Sequence, residues 1–178
     1  LGVIYIVRDP RDVLISFAHH NNESIEATSK KITDNYILDG DTINKIPVYM
    51  GSWAFHYNSW KEFKKTEKYL LIKYEDLISN KEKNLKKILK FIYKLKNINF
   101  EIDETKFENV IQSTSFENMK NLEKEEGFEE ARISIETKEK IPFFNLGPKN
   151  EWKKLLDLEI VKKIEKAFKK EMKELEYL

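Results

Sequence analysis

Hydrophobic positions change period several times along the chain, and each change marks an element. Residues 2–7, Gly-Val-Ile-Tyr-Ile-Val, form a near-continuous β-branched and aromatic run, which predicts a strand buried on both faces. Asp9 then stands as N-cap, Pro10 at the first helical position and Asp12 in the first turn. A helix is therefore expected from about Pro10 to about His20, burying Val13, Leu14 and Phe17. Residues 21–46 are polar, carry Asn21-Asn22 and Asp39-Gly40-Asp41, and predict a long loop with one short helix at most. Pro47 opens the next helical pattern, in which Trp53, His56, Tyr57, Trp60 and Phe63 recur at spacings of three and four. Trp53 and Trp60, on one face, are expected in the core.

Tyr69 to Tyr74 reads as a second buried strand. Ser79-Asn80-Lys81-Glu82 has capping-box form, and Leu85, Ile88, Leu89, Ile92 and Leu95 give the following helix an apolar stripe. Residues 103–112 and 115–122 predict two shorter helices separated near Thr114, whereas 123–141 are charged, lack a stripe and predict a mobile surface segment. A last helix places Leu158, Val161, Ile164, Phe168, Met172 and Leu175 on one face, with Glu159/Lys163 and Glu165/Lys169 as supporting pairs. Strand, tight turn and helix thus recur twice, which defines a helix-rich α/β fold with a parallel sheet covered by helices. Residues 1–178 show no internal repeat or linker and are expected to form a single domain.

Composition narrows the function classes. The chain has 178 residues, 40% hydrophobic and 12% aromatic, enough for one sizeable core. Its 32 Lys and Arg against 31 Asp and Glu give a net charge of +1, so no electrostatic case exists for a nucleic-acid or membrane-surface partner. The absence of cysteine excludes disulfides and cysteine-ligated metals and fits a reducing, cytoplasmic location. No run of about 18 apolar residues predicts a membrane-spanning helix. The opening strand has neither an initiator Met nor a signal-peptide flank, and the expectation is that the N-terminal part of the fold is missing from this chain.

Candidate chemistry gathers where the first strand meets its helix. In open α/β sheets ligands collect at the carboxyl ends of strands, beside helix N-termini with unpaired N–H donors. Arg8 stands there, and its planar guanidinium can hold a phosphate through two parallel bonds. Ser16 follows on the helix face shared with Asp12 and His20 and can add a hydroxyl. The plainer alternative has Arg8 paired with Asp12 or a surface acid and Ser16 serving close packing. His19, His20 and His56 read as structural, since a histidine near a helix C-terminus needs no catalytic role.

Five segments in order bear on that choice. Val7-Arg8-Asp9-Pro10-Arg11-Asp12-Val13-Leu14-Ile15-Ser16 closely resembles the cytosolic sulfotransferase motif for the 3′-phosphate of 3′-phosphoadenosine 5′-phosphosulfate (PAPS). Gly51 to Trp60 resembles the family's Gly-Ser-Trp helix, Tyr74-Glu75-Asp76-Leu77 its Tyr-Glu-Asp segment, and Thr114 to Lys120 its Thr-Ser-Phe segment. Phe144-Asn145-Leu146-Gly147, followed by Glu151-Trp152-Lys153, resembles its C-terminal cofactor loop.

The resemblance implies a P-loop-nucleotide-binding-like fold and a sulfotransferase that moves a sulfuryl group from PAPS to a small-molecule acceptor with a hydroxyl or amine, leaving adenosine 3′,5′-bisphosphate (PAP). It implies that Arg8 and Ser16 hold the 3′-phosphate, that Tyr74, Thr114 and Phe116 meet the adenine end, and that Ser115 belongs to the same motif. Asn145, Leu146 and Gly147 fall in the cofactor loop, where the family usually presents Arg-Lys-Gly. Two cations are thus lost, for which backbone N–H groups near Gly147, and Lys149 in part, can substitute. The family's catalytic lysine loop and general-base histidine precede the position of Leu1, and neither motif occurs in the 178 residues, so no catalytic residue is assigned in this chain. Activity is expected only together with those segments. The family's Lys-Thr-Val-Glu-type dimer motif is also absent after Trp152, so that dimer is not inherited. A non-catalytic adenine-nucleotide-binding remnant and a helical interaction protein remain the alternatives.

Overall fold

The computed structural model describes residues 1–34, 37–38, 48–134 and 137–178, with the side chains of Ile37, Leu38, Val48 and Lys149 outside the description. The Asp39-Gly40-Asp41 part of the expected loop and the helix start at Pro47 also lie outside the described residues. In chain order the first elements are β1 (Val3–Val7), α1 (Pro10–Asn21), α2 (Ile25–Thr33), β2 (Ile37–Leu38), β3 (Val48–Tyr49) and α3 (Trp53–Lys61). A 3₁₀ turn at Glu62–Thr66 leads to β4 (Tyr69–Lys73), α4 (Tyr74–Ser79), α5 (Lys81–Lys96), α6 (Glu104–Ser113) and α7 (Phe116–Glu126). β5 (Arg132–Ile133) and β6 (Lys140–Ile141) precede a second 3₁₀ turn at Gly147–Lys149, and α8 (Trp152–Leu155), α9 (Leu158–Ala167) and α10 (Lys169–Glu174) follow. These elements form two compact units interleaved in sequence, Leu1–Arg8 with Lys61–Lys149, and Asp9–Trp60 with Asn150–Leu178.

In the first unit β1 and β4 pair in parallel, Val3 opposite Tyr69 through Val7 opposite Lys73. Successive side chains of a strand point to opposite faces, and here the faces differ. Val3 and Val7 are buried, whereas Ile4 is 36% and Ile6 50% exposed, so burial on both faces does not hold for β1. The apolar run met its expected cover on one side only. In β4, Ile72 alone is buried, and Tyr74 does not end the strand but opens α4. Because α4 takes Ser79 into its last turn, the cap of α5 is Asn80, whose side chain accepts the Lys83 N–H. The stripe of α5 is half-buried, with Leu95 38% exposed. Buried Asn84 donates to the carbonyls of Asp76 and Asn80 and stitches α4 to α5. The region read as a charged mobile segment instead holds the end of α7 and a short antiparallel hairpin of β5 and β6, with Ser134 buried at its turn. Apart from Glu123, its described charged residues are exposed, and the pairing is made by the backbone, which composition does not reveal.

The second unit has a closed core of Leu14, Ile32, Ile164, Phe168 and Met172, flanked by Phe17, Ile25, Trp53 and Tyr177. The segment expected as a long loop with one short helix at most contributes α2, capped by Ser24, whose hydroxyl accepts the Ala27 N–H. Trp53 joins the core, its ring 5.1 Å from that of Phe168, but Trp60 is 40% exposed because α3 turns it outward near its end. The last helix is two helices, broken at Phe168, and Leu158 is 65% exposed at its start. The charge pairs also differ. Glu159 takes Lys162, Lys163 donates to Ser29 Oγ, and Glu165 takes Arg11. Arg11 is itself buried, bonded to Asp9 at 2.7 Å and to the Tyr177 carbonyl at 2.9 Å, with its guanidinium 3.8 Å above the Trp152 ring.

Candidate functional site

The register of the parallel pair places Val7 beside Lys73, so the next residues, Arg8 and Tyr74, emerge at the same carboxyl edge. The Arg8 guanidinium lies 4.3 Å above the centre of the Tyr74 ring, close enough for a cation–π contact. Its Nη2 also donates a long hydrogen bond of 3.5 Å to the Gly147 carbonyl. Gly147 has φ +55°, and a Cβ there would lie 2.2 Å from Cε2 of Phe116. Only glycine fits this close approach without displacing the ring. Arg8, Tyr74, Phe116 and Gly147 are therefore brought together in the first unit.

Thr114 closes α6, and Ser115 caps α7 by accepting the Asn118 N–H. The Thr114 hydroxyl donates to the Val110 carbonyl at 2.6 Å and accepts from Lys81 Nζ at 2.7 Å. Lys81 Nζ further donates to the carbonyls of Ile111 and Thr114, and burial pushes its pKa down. A hydroxyl has one proton and two lone pairs. With its proton on Val110 and one lone pair on Lys81, the Thr114 hydroxyl keeps accepting capacity only.

The loop holding Asn145, Leu146 and Gly147 is gripped from α7. Lys120 Nζ donates to the Asn145 carbonyl at 3.1 Å, and both oxygens of Glu123 accept backbone N–H groups, from Phe143 at 2.6 Å and Phe144 at 2.9 Å. The Phe144 ring meets Phe116 at 6.1 Å between centroids, and Phe128 and Phe143 complete the aromatic cluster. Leu146 is half-buried.

Ser16 belongs to the second unit, exposed on α1. Asn150 Nδ2 donates to Ser16 Oγ at 3.1 Å and to the Asp12 carbonyl at 2.9 Å, while Asp12 Oδ1 accepts the Trp152 N–H at 3.0 Å. His19 and His20 lie in the last turn of α1, as their dipole-favoured placement predicts, and His56 lies 6.4 Å from the Trp60 ring.

Sequence reasoning missed Lys81, Lys120, Glu123 and Asn150, each of which holds a predicted site residue or its loop. The Lys120 and Glu123 spacing of three on one helix was the available signal, since it sets both on one face. A separate apolar cavity of about 270 Å³ between α5 and α6, lined by Leu85, Leu89, Tyr93, Ile102 and Phe107, contains none of the predicted site residues. Among the described residues no group of three or more acidic or histidine side chains is placed to hold a metal ion, and no helix is long and apolar enough to cross a membrane.

A parallel strand pair with helices packed against it, and a strand-end arginine beside a glycine loop, define an α/β fold of P-loop-like class. The model of the sulfotransferase domain family matches residues 1–176, and the chain belongs to that family. It is 26% identical over 176 residues to amine sulfotransferase of Oryctolagus cuniculus, covering 97% of this chain and 54% of the relative. The chain thus spans about half the length of that curated relative. The fold is shared with the crystal structure of a mouse sulfotransferase complexed with PAP (24% identity, TM-score 0.66), covering 96% of this chain and 58% of the other. Retinol dehydratase in complex with androsterone and inactive cofactor PAP shares it too (18% identity, TM-score 0.67, 97% of this chain and 47% of the other).

Proposed function

We propose that residues 1–178 act as one sulfotransferase domain that recognises the adenine and 3′-phosphate ends of PAPS, within an enzyme that moves a sulfuryl group to a hydroxyl or amine of a small molecule. The observation that carries this reading is Arg8, fixed above Tyr74 and against the Gly147 carbonyl at the carboxyl edge of the sheet. A guanidinium held there is pre-organised to fork onto a phosphate. The donor set fits the nucleotide in other respects. Thr114 offers an acceptor suited to an exocyclic amine, Phe116 and Tyr74 offer aromatic faces, and the glycine turn offers backbone N–H groups in place of the family's basic pair. Ser115 orders α7 beside them as its cap. Ser16 is assigned to the 3′-phosphate by the family motif alone. When bound, PAPS supplies the activated sulfuryl group. That the rabbit relative is an amine sulfotransferase supports an amine or hydroxyl acceptor, and a chain without cysteine suits the cytoplasm.

The test compares calorimetric affinities of the chain for PAP and for adenosine 5′-phosphate, which lacks the 3′-phosphate. PAP binds more tightly in this reading. Arg8→Ala lowers PAP affinity about ten- to a hundredfold, the value of one or two charge-assisted hydrogen bonds, and leaves adenosine 5′-phosphate nearly unchanged. Equal affinities of the unsubstituted chain for the two nucleotides sink the proposal. Sulfuryl transfer itself is read as sulfated product by mass spectrometry, using these residues joined to the family's lysine loop and histidine. Binding without transfer there favours the non-catalytic alternative.

A further inference from the structure

Glu123 opens the last turn of α7, where the helix dipole disfavours a carboxylate. Its placement is offset by a fork of two backbone N–H groups, Phe143 at 2.6 Å and Phe144 at 2.9 Å, both in the loop that leads to Gly147. Lys120, one turn earlier, takes the Asn145 carbonyl, and Phe116, another turn earlier, packs on Gly147. Residues 116, 120 and 123 share one helix face, so α7 grips the loop at three successive points. The loop carries Asn145 and Leu146 and no cation of its own before Gly147. Beyond what Arg8 supplies, the loop's own contribution to phosphate affinity then depends on how its backbone N–H groups are aimed, and an aim is only as good as the anchor of the loop. A loop bearing charged side chains tolerates slack, because a flexible cation finds its anion. This one does not.

Resting on the nucleotide reading above, we propose that Glu123 is a positioning residue for 3′-phosphate recognition, acting through the backbone of residues 143–147. The experiment measures PAP and adenosine 5′-phosphate affinities of the chain, Glu123→Ala and Glu123→Gln, with thermal midpoints for each. Glu123→Ala is expected to lower PAP affinity about tenfold while adenosine 5′-phosphate affinity changes less than about twofold. Glu123→Gln keeps one accepting oxygen and is expected to lose about threefold for PAP. An equal loss for both nucleotides identifies Glu123 as a general structural residue and overturns the proposal, as does no loss at all. If Glu123→Ala fails to fold, Glu123→Gln decides alone, by whether the PAP preference narrows or stays. A parent chain with no PAP preference overturns this proposal and the nucleotide reading together, whereas a preference that survives both substitutions overturns this proposal only.

Discussion

Asn150 illustrates how a single polar side chain can order a segment. It is 7% exposed, its Nδ2 bridges the Asp12 carbonyl and Ser16 Oγ, and its Oδ1 is buried with no hydrogen-bond partner among the described residues. Removing the amide deletes both of these hydrogen bonds, so Asn150→Ala should cost about 1–2 kcal/mol in urea unfolding. Asn150→Asp should cost more, since it buries a carboxylate against the Asp12 carbonyl with no proton to offer it. Asn150→Asp equal to or milder than Asn150→Ala would show that the bridge is not what holds the segment. The site residues divide the same way in legibility. Arg8, Tyr74, Thr114, Phe116 and Gly147 are candidates that motif order alone nominates, since it fixes residue type at each position. Lys81, Lys120, Glu123 and Asn150 are not, because their partners lie 33, 25, 20 and 134 residues away in sequence, beyond any local period.

At the scale of elements, helical periodicity predicted faces better than boundaries. The apolar face from Val161 to Leu175 is buried as one surface, with Ile164 and Met172 at 0% exposure, yet it belongs to two helices. Period 3.6 survives the break because Phe168, at the junction, stays in the core against Trp53. Phe168→Ala should therefore destabilise the protein by about 3–5 kcal/mol, the cost of a large buried aromatic. Met172→Leu, which nearly conserves volume, should cost less than about 1.5 kcal/mol. Denaturant midpoints check both, and a mild Phe168→Ala would mean that α9 and α10 are held mainly by contacts other than this core. The strand prediction failed in a different way. An apolar run states what its side chains prefer, and the exposure of Ile4 and Ile6 is set by which neighbours are present on that face.

At the scale of the whole molecule, the two units differ in how completely they bury apolar side chains. Both leave large apolar side chains exposed, but among the described residues the only apolar ones buried in the first are Val3, Val7, Ile72 and Phe107, whereas the second buries a larger set that includes Leu14, Ile164 and Met172 at 0% exposure. Low burial goes with low-energy opening, so amides of α5, α6 and α7 should exchange with solvent more readily than those of α1 and α9. Arg8, Tyr74, Thr114, Phe116 and Gly147 all fall in the first unit. A ligand that binds only the folded form adds stability where its contacts would be lost on opening, about 2.7 kcal/mol at a hundredfold excess over its Kd. Saturating PAP should therefore slow exchange most in α4, α6, α7 and residues 143–147. Hydrogen exchange read by mass spectrometry, with and without PAP, separates the outcomes. Protection confined to α1, α9 and α10 would move the nucleotide away from Arg8 and Gly147, and uniform protection would mean that the two units open together. Protection concentrated in the first unit, and abolished there by Arg8→Ala, ties the strand-end arginine to the stability of the elements that surround it.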